Sequence, residues 1–466
     1  MYANVATKKY KGTTYYSVRV AETHYPHGKR VNKIVKIIGN TTSPNEVENL
    51  KKMAWEYIIE TKKDITLSLS EIRKIRPQSP VGLMKTINRV FSSLDVLQPL
   101  KKIFINNYEE FIEEITYRFY AITSERMLYL LTGKPKDRYY RLLDTIFLRK
   151  RELEDLFYNA LVQKGKITNH EVKIDTTSTY FEGNGISLAM YGYSRDHRGD
   201  KKQIIILLVL LDNYPLFSYI FEGNKKDVTL FLQTVKDLKK RIHCERFTIF
   251  CDRGFFDLKY VNILENDNIF YVMAVPRRKG EWPQHHESNV KEFSFEGKRA
   301  ILYENTALRK ELLQELDETL KEVENALRKL TPSEIKRKYK HALKFINLKK
   351  KKLRPKMIEK EKKVLGRWIV LTNIHHKSTE EIVDDYKSLQ EIERDFHVLK
   401  SELHLRPIPH RKDERALAHI YICVLTLLIK HIIEKEFGKE KLEEILEIFS
   451  YEISTEKGTI LWTEKL

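Results

Sequence analysis

Polar and apolar positions alternate over Lys8–Val20 and again over Lys29–Ile38, with many β-branched and aromatic side chains. A period of two is that of a strand, so a small antiparallel sheet is expected, turning at Lys11-Gly12-Thr13 and at Pro26-His27-Gly28. From Pro44 to about Gly165 the apolar spacing becomes three and four, as in Phe111, Ile115, Phe119, Ile122 and in Tyr140, Leu143, Ile146, Phe147. This pattern is helical, and Thr132-Gly133-Lys134-Pro135 should divide it in the manner of a helix-turn-helix.

Beyond Val172 the pattern changes again. Short apolar runs at Val172–Ile174, Gln203–Leu211 and Leu216–Glu222 precede an amphipathic stretch from Asp227 to Ile242; Phe247–Cys251, a helical Leu258–Glu265 and Ile269–Val275 follow. Strand, strand, strand, helix, strand, helix, strand is the chain order of a ribonuclease-H-like α/β fold. Pro276-Arg277-Arg278-Lys279-Gly280 breaks the series, and the segment reaching to about Leu365 reads as an insertion. Trp368–Thr372 then resumes as a strand, Ser378 to about Leu403 as one long helix, and Glu414–Glu436 as another.

The expected organisation is therefore a small sheet (1–43), a helical region (44–165) that is a candidate for binding a partner, an α/β core in two parts (166–278 and 366–440) interrupted by the insertion (279–365), and a C-terminal tail (441–466).

Composition narrows the partners. The 466 residues carry 84 Lys and Arg against 65 Asp and Glu, a formal charge of +19, which calls for a polyanion. Much of the excess sits in Arg328–Lys363, with sixteen Lys or Arg and three Glu; so one-signed a run favours contact with a DNA backbone over a merely solvated face. A membrane is the weaker partner, because the apolar run Ala416–Ile429 holds His419, ends at Lys430 and reads as a buried helix. Met1–Lys11 lacks the apolar core of a signal peptide, so a cytoplasmic, DNA-associated location is expected. Cys244, Cys251 and Cys423 have no ligand-like spacing and suggest neither disulfide nor zinc.

Candidate chemistry lies in carboxylates. Asp175 directly follows Val172–Ile174 and Asp252 directly follows Phe247–Cys251, so in this fold both stand at the ends of neighbouring strands. Two such groups repel unless a cation lies between them, and hard oxygen donors suit Mg²⁺ or Mn²⁺. On the long helix, Ile382, Tyr386, Leu389, Glu393, Phe396 and Lys400 share a stripe, which turns Glu393 inward among apolar neighbours and calls for a cation or a buried partner. Plainer roles also fit each residue alone: a turn cap for Asp175, the start of the Asp-Arg-Gly turn for Asp252, a pair with Lys400 or Arg394 for Glu393. Trp282, in the insertion, suits either packing or stacking on an extruded base.

The stretch from Tyr386 to Lys400 resembles the Y-x2-R-x3-E-x6-K signature of the insertion-sequence-four superfamily of DDE transposases, with Leu389 where that signature has Arg. Gly192–Asp200, Asp252-Arg253-Gly254-Phe255 and Ser401–His410 look like motifs of a subgroup, and the resemblance spans most of residues 1–436. It implies a ribonuclease-H-like core interrupted before the catalytic glutamate. Asp175, Asp252 and Glu393 would be the catalytic ligands of two Mg²⁺ or Mn²⁺ ions, and Tyr386 and Lys400 would touch DNA near the cleaved strand. Arg253 would lie near the phosphate, Arg394 or His397 would stand in for the missing Arg, and Arg195, His197 and Arg198 are family residues without an assigned role.

The implied partners are double-stranded DNA, as terminal inverted repeats and target, and a second protomer in a homodimeric synaptic complex. The residues around Ser124–Phe157 and the small sheet are candidates for reading the repeats, with ordinary helix packing as the other reading. Two further functions suit the same residues: a nuclease of this fold without strand transfer, and a non-cutting DNA-binding descendant of a transposase.

Overall fold

The computed structural model describes residues 2–10, 13–24, 31–62, 72–121, 124–183, 185–277, 282, 289–455 and 458–465. The chain forms two compact units, one of Met1–Arg149, Glu402–His404 and Leu425–Leu466, the other of Lys150–Ser401 and Leu405–Val424.

In the first unit, β1 (Tyr2–Tyr10), β2 (Thr13–His24) and β3 (Val31–Thr41) form the antiparallel sheet expected from the alternation, Val5 opposite Val18 and Val20 opposite Lys36. Residues 11–12 and 25–30, which hold most of the expected turns, lie outside the described residues. Helix α1 (Pro44–Lys62) covers the sheet, burying Val47, Ala54, Trp55 and Ile58 against Val18 and Val20.

After β4 (Ile72–Ser79) come α2 (Val81–Ser93), α3 (Leu97–Ile103), α4 (Tyr108–Arg118), α5 (Glu125–Thr132) and α6 (Lys136–Gln163). The anticipated break is a glycine-capped helix end. Gly133 adopts φ 73°, a left-handed conformation that a β-carbon disfavours, and its N–H bonds the Tyr129 carbonyl. Helix α4 stops at Arg118, whose guanidinium forms a buried pair with Glu114 at 2.7 Å. Phe119 therefore does not continue that helix as the spacing suggested, and Ile122 lies outside the described residues.

The second unit is built on an eight-stranded sheet. Its strands are β5 (Glu171–Phe181), β6 (Lys202–Leu211), β7 (Tyr214–Glu222), β8 (Thr248–Cys251), β9 (Phe270–Ala274), β10 (Val290–Phe295), β11 (Lys298–Glu304) and β14 (Arg367–Thr372), in the order β10-β11-β14-β9-β8-β5-β6-β7. Among the described residues, β5–β8 and β8–β9 pair in parallel and the other neighbours in this sheet pair antiparallel. The crossovers are α7 (Asp227–Arg241) and α8 (Leu258–Asn266), giving the expected ribonuclease-H-like α/β core. The apolar run of β6 is buried at every position but its first, as a central strand covered on both faces must be.

The inserted segment is less separate than its composition suggests. Its first two strands, β10 and β11, join the main sheet through β14, with Ala300 opposite Leu371 and Val370 opposite Ala274. Only the remainder, α9 (Thr306–Lys329), α10 (Pro332–Lys338), the short hairpin β12 (Ile346–Asn347) and β13 (Lys352–Leu353), and α11 (Pro355–Val364), builds a core of its own, around Leu316, Val323, Leu327, Ile335 and Phe345.

The long helix expected after β14 is two helices, α12 (Thr379–Lys387) and α13 (Gln390–Ser401), separated by a turn at Ser388 and Leu389. Helix α14 (Asp413–Phe437) is long and apolar enough to cross a bilayer, but 83% of its most apolar stretch is buried within the protein. The last residues are not a plain tail. Helix α15 (Lys439–Leu446) leads into β15 (Ile448–Thr455) and β16 (Gly458–Lys465), and β15 pairs with β4 in the first unit.

Candidate active site

Because β5 and β8 run in parallel with Ile174 opposite Cys251, Asp175 and Asp252 are the next residues on neighbouring strands. Carboxyl ends of adjacent parallel strands are where α/β sheets present their chemistry. Both aspartates line one cleft of about 520 Å³, together with Arg253, Tyr386, Leu389 and Glu393. Of the eight residues assigned to the site from the sequence, five meet there: Asp175, Asp252, Glu393, Tyr386 and Arg253.

Each aspartate is held by a specific contact. Asp175 Oδ1 accepts the Thr176 N–H at 2.7 Å, and the Tyr386 hydroxyl donates to Asp252 Oδ1 at 3.2 Å. Burial pushes the Asp175 carboxyl up to about 7; the Thr176 amide and Arg195 oppose this, while the charges of Asp252 and Asp227 add to it. Burial, and then the charge of Asp252, also hold the Tyr386 hydroxyl far above its ordinary range, so it remains a donor at neutral pH. Helix α13 is fastened to β5 by the buried Lys173, whose Nζ lies 2.5 Å from Glu391 Oε2 and 2.6 Å from Asn213 Oδ1.

The break at Ser388–Leu389 changes the role of Glu393. Helix α13 has its own phase, in which Ile392, Asp395, Phe396 and Leu399 are buried while Glu393, Arg394 and His397 are not. Glu393 therefore reaches the cleft from an exposed helix face rather than sitting among apolar side chains, and the carboxylate buried on this helix is that of Asp395. Arg394 and His397 do not line the cleft; His397 instead contacts the Ser401 hydroxyl at 3.1 Å. Lys400 pairs with Asp196 at 3.0 Å, not with Glu393. Leu389, where the signature has Arg, is buried at the cleft wall.

Several cleft residues have no signal in the sequence. Tyr303 on β11 and Trp368 on β14 are cross-strand partners, with ring centroids 5.7 Å apart, and Lys387 Nζ lies 4.7 Å from the Tyr303 ring centre. Only the pairing of β11 with β14 brings them to the site, and no local pattern announces it. Asp227, at the start of α7, accepts from Thr176 Oγ1 at 2.8 Å and from Arg195 at 2.8 Å, so Arg195 acquires a place beside Asp175. Arg198 pairs with Asp200 and lies over the Tyr180 ring. The Trp282 indole N–H donates to the Arg277 carbonyl at 3.1 Å, and Trp282 does not line the cleft.

Among the described residues no three His, Cys, Asp or Glu side chains stand close enough to form a ready-made metal cage. The donor set nevertheless fits a hard divalent cation in kind. All three carboxylates open on one cleft, and burial, which raises the Asp175 carboxyl, disfavours its charge there unless a cation compensates it.

A mixed sheet with crossover helices, bearing two aspartates at the ends of adjacent parallel strands and a glutamate across the cleft, defines a ribonuclease-H-like carboxylate site. The chain belongs to the family of the transposase DDE domain, whose model matches residues 172–429. No curated protein matches the sequence. Among solved structures, that of the piggyBac transposase synaptic complex with hairpin DNA is similar at 13% identity over 84% of this chain and 75% of that one, with a TM-score of 0.39, too distant to carry over residues or roles.

Proposed function

We propose that this protein is a transposase of the insertion-sequence-four type, cleaving DNA at the ends of its element and joining the freed 3′ ends to target DNA. The observation that carries this reading is the meeting of Asp175, Asp252 and Glu393 in one cleft of a family member whose net charge is +19.

In this reading Asp175, Asp252 and Glu393 hold Mg²⁺ or Mn²⁺. Two such ions, when bound, supply Lewis acidity to the attacking and leaving oxygens of a phosphoryl transfer. The chain's own groups prepare the site. Tyr386 fixes Asp252 through its hydroxyl, the Thr176 amide fixes Asp175, and Arg253 offers a guanidinium to the phosphate at the cleft. No protein nucleophile is required, since water and then a DNA 3′-hydroxyl attack. Leu389 withholds the guanidinium that the signature places there, and Arg253 and Lys387 are the cations on the cleft wall among the described residues.

The exposed Lys336, Arg337, Lys338, Lys349, Lys350 and Lys351 of the insertion suit a DNA backbone. Paired cutting of two ends calls for a homodimer on double-stranded DNA.

The test is incubation with Mg²⁺ or Mn²⁺ and a duplex carrying the element's own ends, beside Asp175→Ala, Asp252→Ala and Glu393→Ala. The expected result is cleavage and joined products from wild type and neither from the three variants. Cleavage without joining would make the protein a nuclease of the same fold, and DNA binding without cleavage a non-cutting descendant. Undiminished cleavage by any one variant would remove that residue from the site.

A further inference from the structure

On the same unit as the cleft, two cations share one carboxylate. Lys400 Nζ lies 3.0 Å from Asp196 Oδ1, and Arg406 Nη1 contacts Asp196 Oδ2. The neighbouring cations are already provided for: Arg195 pairs with Asp227 and Arg198 with Asp200. Lys400 and Arg406 therefore carry one positive charge more than Asp196 balances. The geometry holds them in place, because the Arg406 guanidinium lies 5.0 Å from the centre of the Tyr180 ring and Lys400 is fixed on α13. Their side chains keep 14% and 25% of their exposure, enough for an incoming group to reach them, against 12% for Asp196. Burial pushes the Lys400 ammonium below its ordinary value; Asp196 counteracts this, and the charges of Arg406 and Arg195 reinforce it, as crowded cations do.

We infer that Arg406 joins Lys400, which the signature already gives to DNA, in a site for one phosphate of bound DNA, and that Asp196 occupies this site as a surrogate anion until DNA displaces it. Lys400 lies two helical turns from Glu393, about 10 Å along the axis. That corresponds to roughly three base steps of 3.4 Å along the axis of a DNA duplex lying parallel to the helix. The phosphate so held is thus a few nucleotides from the one at the carboxylates. The inference rests on the reading of the cleft as a DNA site, and it gives Asp196 the role of a competitor rather than a support.

Binding of a fluorescein-labelled random-sequence duplex, followed by anisotropy over a series of salt concentrations, tests it. Lys400→Ala and Arg406→Ala should each weaken binding about tenfold and make the slope of log K against log salt shallower by about 0.9, the loss of one phosphate contact. Asp196→Asn should tighten binding several-fold, and this gain should vanish in the Arg406→Ala background, because the site it frees is then gone. If wild type binds the duplex and Asp196→Asn binds it equally or more weakly, Asp196 supports the site and the inference fails. It fails too, whether or not Asp196→Asn folds, if Lys400→Ala and Arg406→Ala leave affinity and slope unchanged. No DNA binding by folded wild-type protein would overturn the proposed function together with this inference.

Discussion

Replacing Asp175 with Asn keeps an oxygen to accept the Thr176 N–H but removes a charge from a site where burial disfavours it. The carboxyl is held near 7 in the folded protein against an ordinary 3.8. Ionising it in the folded state therefore costs stability. The native form with Asp175 protonated is fully favoured below about pH 4, and that advantage is lost progressively as pH rises to about 7. At 1.36 kcal/mol per pH unit the ceiling on the effect is about 4 kcal/mol, and relaxation around the charge should leave about 1–2 kcal/mol of it. In EDTA at pH 8, Asp175→Asn should thus be more stable than wild type to urea, and the gain should shrink towards zero at pH 4. Near pH 6, where the carboxyl is still largely protonated, replacing EDTA with Mg²⁺ or Mn²⁺ should stabilise wild type and release a proton, while leaving Asp175→Asn unmoved. An Asn variant no more stable than wild type at pH 8, or one whose gain is the same at pH 5 and pH 8, would refute the buried-charge explanation.

Tyr386→Phe removes only the hydroxyl that holds Asp252, so end cleavage should drop about tenfold while the urea midpoint moves by less than the equivalent of about 1.5 kcal/mol; an unchanged cleavage rate would deny Tyr386 a role. Arg118→Ala leaves the buried Glu114 without its guanidinium and should cost about 3–5 kcal/mol, read by chemical denaturation. Leu389→Arg places the signature's cation at the cleft wall, and duplex affinity at low salt should rise a few-fold with a steeper salt dependence; no change in slope would show that the side chain does not meet a phosphate.

Local periodicity is what makes part of this fold legible in the chain. Alternation announces β1–β3, and buried apolar runs announce β5, β6, β8 and β9. Since Asp175 and Asp252 directly follow two such runs, their adjacency is legible too. Helix phase is not. The turn at Ser388–Leu389 is built from ordinary helix-compatible residues, so the spacing suggests a continuous stripe through Glu393 while the real α13 buries Asp395 instead. Cross-strand placement is also silent. Tyr303 and Trp368, some 65 residues apart in sequence, meet because β11 pairs with β14, whereas the break in the pattern at Pro276–Gly280 assigns β10 and β11 to an insertion. The link from Lys400 and Arg406 to Asp196 likewise spans about 200 residues of sequence and follows only from the assembled unit.

The pairing of β15 with β4 bears on synthesis as well as on stability. About 370 residues separate the two strands, and at 5–20 residues per second a ribosome needs roughly 20–75 seconds to make them. Throughout that interval β4 is exposed without its sheet neighbour, although everything needed for the α/β unit is being delivered. The carboxylate-bearing unit can therefore close before the first unit is complete. Translation interrupted shortly before residue 448 should yield chains that hold every residue of the carboxylate-bearing unit but leave β4 with an open strand edge, a species for proteases to remove.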